Sequence, residues 1–179
     1  MSFSRIDGSG AVLVAEQRRL GMVTLKSDLA NKTTRAALKK ALGVAVPAAR
    51  RINGLVAWMA PDELLILVPR GETPAGLVAK LEAAVNAPML ALDVSDARAV
   101  FTLKGQGARE VLAKGAPVDL SPGKFGMGDF RRTRLGQVAV AFWMEADDEF
   151  QLVCFASLRQ FMYDWLLNAA QKGSLPEVL

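Results

Sequence analysis

A chain of 179 residues with no histidine and one cysteine cannot build a Ser-His-Asp triad, a Cys-His pair or a Cys₂His₂ or His-Glu-x-x-His zinc site from its own side chains. Its net charge of +4, from 22 basic and 18 acidic residues, is a mild excess spread over the whole chain and only weakly favours anionic partners. Hydrophobic residues make up 51% of the sequence, yet the longest apolar run, Val138 to Met144, is far shorter than a membrane span, so the excess points to a substantial core and to partner-facing surface.

Residues 1–19 show little periodicity and contain Gly8-Ser9-Gly10, which predicts a loosely held arm of the kind that docks on partners. The opening lacks the basic start and apolar centre of a signal peptide, so the chain is expected in the cytoplasm. Leu20 to Leu25 reads as a first strand. After the polar turn KSDLANK, a helix is predicted from Thr33 to Leu42, with Ala37, Leu38, Ala41 and Leu42 on its apolar side and Gly43 as its cap. Asn53-Gly54 between Arg50-Arg51-Ile52 and Leu55-Val56-Ala57-Trp58 predicts a two-residue hairpin with a type I′ turn. The run Leu64 to Val68 does not alternate and reads as a central strand covered on both faces. Thr73 is the expected N-cap of a helix that starts with Pro74, lines one side with Leu77, Val78, Leu81 and Val85, and ends near Asn86. Met89 to Val94 follows as a strand.

Residues 98 to 103 are mostly apolar, with β-branched Val100 and Thr102, and read as the next strand; Ala108, Val111 and Leu112 return at helical spacing until Gly115. Leu120 to Gly128 is rich in turn formers and is expected to be a surface loop. The hairpin Phe130 to Leu135 and Val138 to Trp143 turns at Gly136-Gln137, and Asp147-Asp148-Glu149 leads into the strand Phe150 to Phe155. Ser157 with Gln160 predicts a capping box, followed by Leu158, Phe161, Met162, Trp165, Leu166 and Ala169 on the apolar face of a last helix. In order, the elements read βα, ββ, βαβ and then βα, ββ, βα. Short hairpins exclude a purely parallel sheet, so the expected class is α+β, with two ferredoxin-like half-units of antiparallel hairpins packed against helices. The domain layout is an arm over 1–19 and a domain over 20–179, with halves of about 20–94 and 95–170.

Candidate chemistry is sparse. Acid/base work would fall to Asp, Glu, Lys or Tyr163, the only tyrosine. Cys154 in FQLVCFA reads as a buried small hydrophobe. Gly105-Gln106-Gly107-Ala108-Arg109-Glu110 superficially matches a dinucleotide fingerprint, but Glu110 holds the third glycine position, and a tight turn into a helix is the better account. Asp62, Glu63, Asp93, Asp96 and Asp119 lie near strand ends, where each suits a turn or loop. The densest basic run is Arg131, Arg132 and Arg134, with Lys124 upstream. On a strand Arg132 and Arg134 point one way and Arg131 the other. Solvated strand face or salt bridges to another subunit are better readings than nucleic acid, because no aromatic interleaving accompanies them.

The combination of Trp58-Met59-Ala60-Pro61-Asp62-Glu63-Leu64-Leu65, Asp93-Val94-Ser95-Asp96 with Arg98-Ala99-Val100-Phe101, Gly105, Ala108 to Gly115, Asp119-Leu120, Arg132 to Val138 and Trp165-Leu166 resembles the gamma subunit of heterotetrameric sarcosine oxidase. More distantly the layout is similar to the folate-binding aminomethyltransferase fold of the glycine cleavage T-protein. The resemblance implies a non-catalytic accessory subunit, with alpha, beta and delta subunits as partners and no membrane or nucleic acid involved. The implied complex demethylates sarcosine oxidatively to glycine, yields hydrogen peroxide and passes the one-carbon unit to tetrahydrofolate. FAD, FMN and NAD then belong to the larger alpha and beta subunits, zinc to the delta subunit, and no cofactor, metal or catalytic residue to this chain. Arg131, Arg132 and Arg134 become the candidate partner interface, and a homo-oligomer is an alternative state of the isolated chain. The rival reading is a stand-alone folate-dependent aminomethyltransferase or folate-binding protein. Against it, Gly136-Gln137-Val138-Ala139-Val140-Ala141 is apolar where the catalytic relatives carry acidic residues after a glycine-rich turn.

Overall fold

The computed structural model describes residues 2–7, 10–18, 20–176 and 178–179, the first stretch by its backbone alone. Two compact units emerge: Leu20–Ser95, and Met1–Arg19 together with Asp96–Leu179.

In Leu20–Ser95 the strands are β3 (Met22–Ser27), β4 (Ile52–Asn53), β5 (Val56–Ala60), β6 (Glu63–Leu67) and β7 (Met89–Asp93), and the helices α1 (Lys32–Leu42) and α2 (Pro74–Ala84). The sheet order β4-β5-β6-β3-β7 is antiparallel throughout, and without β4 it is the ferredoxin-like βαββαβ arrangement. All five residues of β6 are buried, which explains its unbroken apolar run. Val23, Leu25, Leu64, Ile66 and Ala91 share a core with Leu38 of α1 and Leu77 and Leu81 of α2. Helix α1 begins where the Asn31 carboxamide oxygen accepts from the Thr33 and Thr34 amides at 2.8 and 3.2 Å. It ends at Gly43, whose φ of +75° closes the last turn through an N–H to the Lys39 carbonyl. Asn31→Ala should therefore lower the urea unfolding free energy by about 1 kcal/mol, while Asn31→Asp should stay near wild type.

The predicted Asn53-Gly54 turn is displaced by one residue. Asn53 pairs with Val56, so the loop is Gly54-Leu55. Gly54 has φ +56° and Leu55 does not have positive φ, which excludes type I′: that turn needs two positive φ values, and a leucine resists the second.

The second unit contains β1 (Ser2–Asp7), β2 (Leu13–Arg18), β8 (Arg98–Lys104), α3 (Ala108–Ala113), β9 (Phe130–Leu135), β10 (Val138–Ala146), β11 (Glu149–Phe155) and α4 (Arg159–Ala169). Its sheet runs β1-β2-β8-β11-β10-β9. Here the expectation of a loose arm is corrected. Strand β2 pairs with β8 from Leu13↔Lys104 to Gln17↔Val100, and the Ala11 amide donates to the Ala170 carbonyl at 2.7 Å. Strand β8 stands to β11 and β2 as β3 stands to β6 and β7. Among the described residues no strand follows α4, and β2 takes the side of β8 that would otherwise be left unpaired. Gly8 and Ser9, part of the expected arm, lie outside the described residues.

Two further expectations change. The Ser157–Gln160 capping box does not form: a 3₁₀ turn over Ala156–Leu158 leads into α4, whose N-cap is Leu158 without a side-chain hydrogen bond, and Gln160 donates instead to Asp164 at 2.7 Å. The glycine-rich stretch from Leu120 to Gly128 is not simply surface, because Leu120 and Phe125 are fully buried in the core formed by Phe101, Phe142, Phe150, Val111, Met162 and Leu166.

Candidate partner interface

The basic run falls on β9, which lies at one edge of its sheet and, among the described strands, pairs with β10 alone. The pairing Leu135↔Val138 closes the two-residue turn Gly136-Gln137, with Gly136 at φ +58°, and fixes which way each arginine points. Arg131 turns toward the core side: its guanidinium lies 5.3 Å from the centre of the Phe125 ring and donates to the Phe130 carbonyl at 2.9 Å, with Asp129 at 3.9 Å. Arg132 and Arg134, paired with Ala141 and Ala139, are exposed on the opposite face. Arg131 is thus a positioning residue beneath the strand, and Arg132 and Arg134 carry the surface charge.

The remaining candidates resolve into local structure. Gly107 opens α3, and a side chain there would collide with Leu175, so the glycine is accounted for by packing. Glu110 is buried, and its carboxylate accepts from the Val178 and Leu179 amides at 2.6 and 3.1 Å. Asp62 and Glu63 both lie 3.9 Å from the Lys26 ammonium, and Glu63 also accepts from the Thr24 hydroxyl. Asp93 holds the Ser95 amide and hydroxyl, and Asp96 is exposed. Asp119 makes the same turn with Ser121, whose hydroxyl and amide hold its carboxyl below the usual range. Tyr163 stacks on Phe101 inside the core. Among the described residues no group of three or more His, Cys, Asp and Glu could hold a metal ion.

Cys154 is buried, and burial pushes its thiol up to about 11, against smaller opposing effects of Arg159 and Arg98. The native protein should therefore resist iodoacetamide at pH 8 and become labelled fully in denaturant, as mass spectrometry would record.

Three features had no signal in the sequence. Gln17, Thr102 and Gln151 form a buried polar cluster, the Gln17 amide donating at 2.7 Å to both partners, and nothing about Gln17 marks it until β2 is placed beside β8. Glu16, also buried, meets Arg159 at 3.2 Å. Leu158 and Phe161, expected on the covered face of the last helix, are exposed, as is Phe155, over whose ring the Arg98 guanidinium lies at 4.3 Å. The helical period groups residues on one side but does not say how wide the cover is. Between the residues that precede β2 and the C-terminal end of α4, an open depression of about 320 Å³ is lined by Val12, Asp164, Leu167, Asn168, Gln171 and Lys172; Asp164 is engaged by Gln160. Among the described residues no helix is long and apolar enough to cross a membrane.

Residues 26–172 match the sarcosine oxidase, gamma subunit family. The chain belongs to that family. It is 35% identical over 141 residues to the sarcosine oxidase subunit gamma of Corynebacterium sp. (strain P-1), covering 75% of this chain and 68% of the relative. The subunit gamma of an Arthrobacter species is 29% identical over 177 residues, covering 95% and 85%. Among solved structures, a chain of the heterotetrameric sarcosine oxidase from Corynebacterium sp. U-96 superposes with a TM-score of 0.83 at 31% identity, covering 97% of this chain and 91% of that one. The glycine cleavage system aminomethyltransferase T from Bartonella henselae has a TM-score of 0.59 at 13% identity, covering 88% of this chain and 46% of that one. This second likeness is one of fold. The gamma subunit family and the aminomethyltransferase-like α+β fold expected from the sequence are thus both found.

Proposed function

We propose that this chain is the non-catalytic accessory subunit of a heterotetrameric sarcosine oxidase in the cytoplasm, assembled with alpha, beta and delta subunits. The observation that carries this reading is the TM-score of 0.83 over nearly the whole of both chains with a chain of such an oxidase. In this reading FAD, FMN, NAD, zinc and tetrahydrofolate belong to the other subunits. Sarcosine is demethylated there to glycine, with hydrogen peroxide formed and the one-carbon unit passed to tetrahydrofolate. This chain contributes a docking surface at the β9–β10 hairpin, where Arg132 and Arg134 face outward and Arg131 is stacked beneath.

The test is a tagged pull-down from the native cells, read by mass spectrometry and an absorbance spectrum of the eluate. Two large co-purifying chains and yellow flavin absorbance are expected. A colourless single chain would overturn the proposal, and a tetrahydrofolate titration would then ask whether the chain is a folate-binding protein in its own right.

A further inference from the structure

Among the described residues, strand β9 has a neighbouring strand on one side only. In an antiparallel hairpin with a two-residue turn, the closing pair is hydrogen-bonded and the pairs alternate from there. Leu135↔Val138, Thr133↔Val140 and Arg131↔Phe142 therefore exchange main-chain bonds, and the main-chain groups of Arg132 and Arg134 point away from β10. The side chains of these two residues are exposed on a single face. Past the start of β9 the same side of β10 is continued by Met127, which bridges to Met144 and is 64% exposed.

An edge of this kind invites another strand, and its charge decides which. A second copy of this chain is a poor occupant. The two antiparallel registers with the greatest overlap set Arg132 opposite its own copy or opposite Arg134 of the second copy, and like charges directly across a ladder repel. The strand carries no proline and no bulge that would close the edge to other partners.

We propose that β9 is a docking strand that accepts an extended acidic segment of a larger oxidase subunit by strand addition. The segment bears carboxylates two residues apart, opposite Arg132 and Arg134. The main chain supplies the adhesion and the two arginines supply the choice of partner. The inference rests on the accessory-subunit reading and adds to it the mode of docking and the chemistry of what the surface meets.

The test uses the full-length tagged chain expressed in the native cells. The double variant Arg132→Glu/Arg134→Glu is compared with wild type for recovery of the large chains at matched salt, and a loss of about tenfold or more is expected. Both positions are exposed, so the melting temperature of the purified variant should match wild type, which separates lost docking from lost folding. A second comparison separates strand addition from charge alone. Arg134→Gln removes the charge, whereas Arg134→Pro also removes an edge-facing amide without touching the β9–β10 ladder. The proline variant should lose clearly more recovery than the glutamine variant. Equal losses would overturn strand addition. Wild-type recovery by the double glutamate variant would overturn the docking strand while leaving the subunit reading intact. Recovery abolished by nuclease would overturn the acidic protein partner. No co-purifying chain with the wild type would overturn both readings.

Discussion

Phe125→Ala should cost about 3–5 kcal/mol, the range for emptying an aromatic site in a packed core. Phe125 sits in a glycine-rich loop but is fully buried, with its ring 5.6 Å from that of Phe142 and 6.0 Å from that of Phe150. The Arg131 guanidinium lies over it at 5.3 Å. Truncation removes these contacts together, and the two packed rings beside it leave little room for collapse. Against a domain stability of about 5–15 kcal/mol, such a loss would leave a marginal fold. Equilibrium urea unfolding followed by tryptophan fluorescence reads it, because Trp143 and Trp165 belong to the same unit. Met127→Ala, two residues away but exposed, is the control and should move the midpoint little. A small effect at Phe125 would mean that the loop is not part of the core.

Arg109→Met should destabilise by about 3 kcal/mol, from the loss of charge-assisted hydrogen bonds worth about 1.5–3 kcal/mol each, discounted for partial exposure. One guanidinium nitrogen of Arg109 donates to the Leu120 carbonyl at 2.7 Å and the Phe125 carbonyl at 2.8 Å. The other lies 3.3 Å from the Met144 sulfur, and the group as a whole is 5.5 Å from the centre of the Phe150 ring. This side chain ties the start and the middle of the loop to α3. Methionine keeps much of the apolar stem and leaves two carbonyls without their donor. Arg109→Lys should recover only part of the loss, since an ammonium lacks the planar fork that serves several partners from one position. Loop amides from Ser121 to Gly128 should exchange faster in Arg109→Met. Because Arg109 and Phe125 act on the same loop, the double variant should lose less than the sum of the single losses. Additive losses would mean that the two residues act independently.

The elements that sequence reasoning placed well carry their own punctuation. Helix α2 has Thr73, whose hydroxyl accepts from the Gly76 amide at 3.1 Å, followed by Pro74. The β9–β10 hairpin has Gly136 at its turn, and its period of two told Arg131 apart from Arg132 and Arg134 before any fold was drawn. Where the local signal was ambiguous, the chain chose otherwise. Asn53-Gly54 and Gly54-Leu55 differ by one residue in register, and a single glycine fits either. Ser157 and Gln160 have the capping spacing, yet the 3₁₀ turn before α4 takes their place.

The sequence by itself determined the chemistry this chain lacks, since 179 residues without histidine and with one cysteine exclude whole classes of site wherever the chain goes. It also determined most helices and hairpins, because caps, turns and periodicity act within a few residues. Only the tertiary structure decided that Leu13–Arg18 completes the sheet beside β8, that Phe125 is core and that Phe161 is surface. Sheet neighbours are joined by main-chain groups common to every residue, so little in a strand names its distant partner. Burial, likewise, depends on what the rest of the chain brings to cover a face, and that information is held by residues far away in sequence.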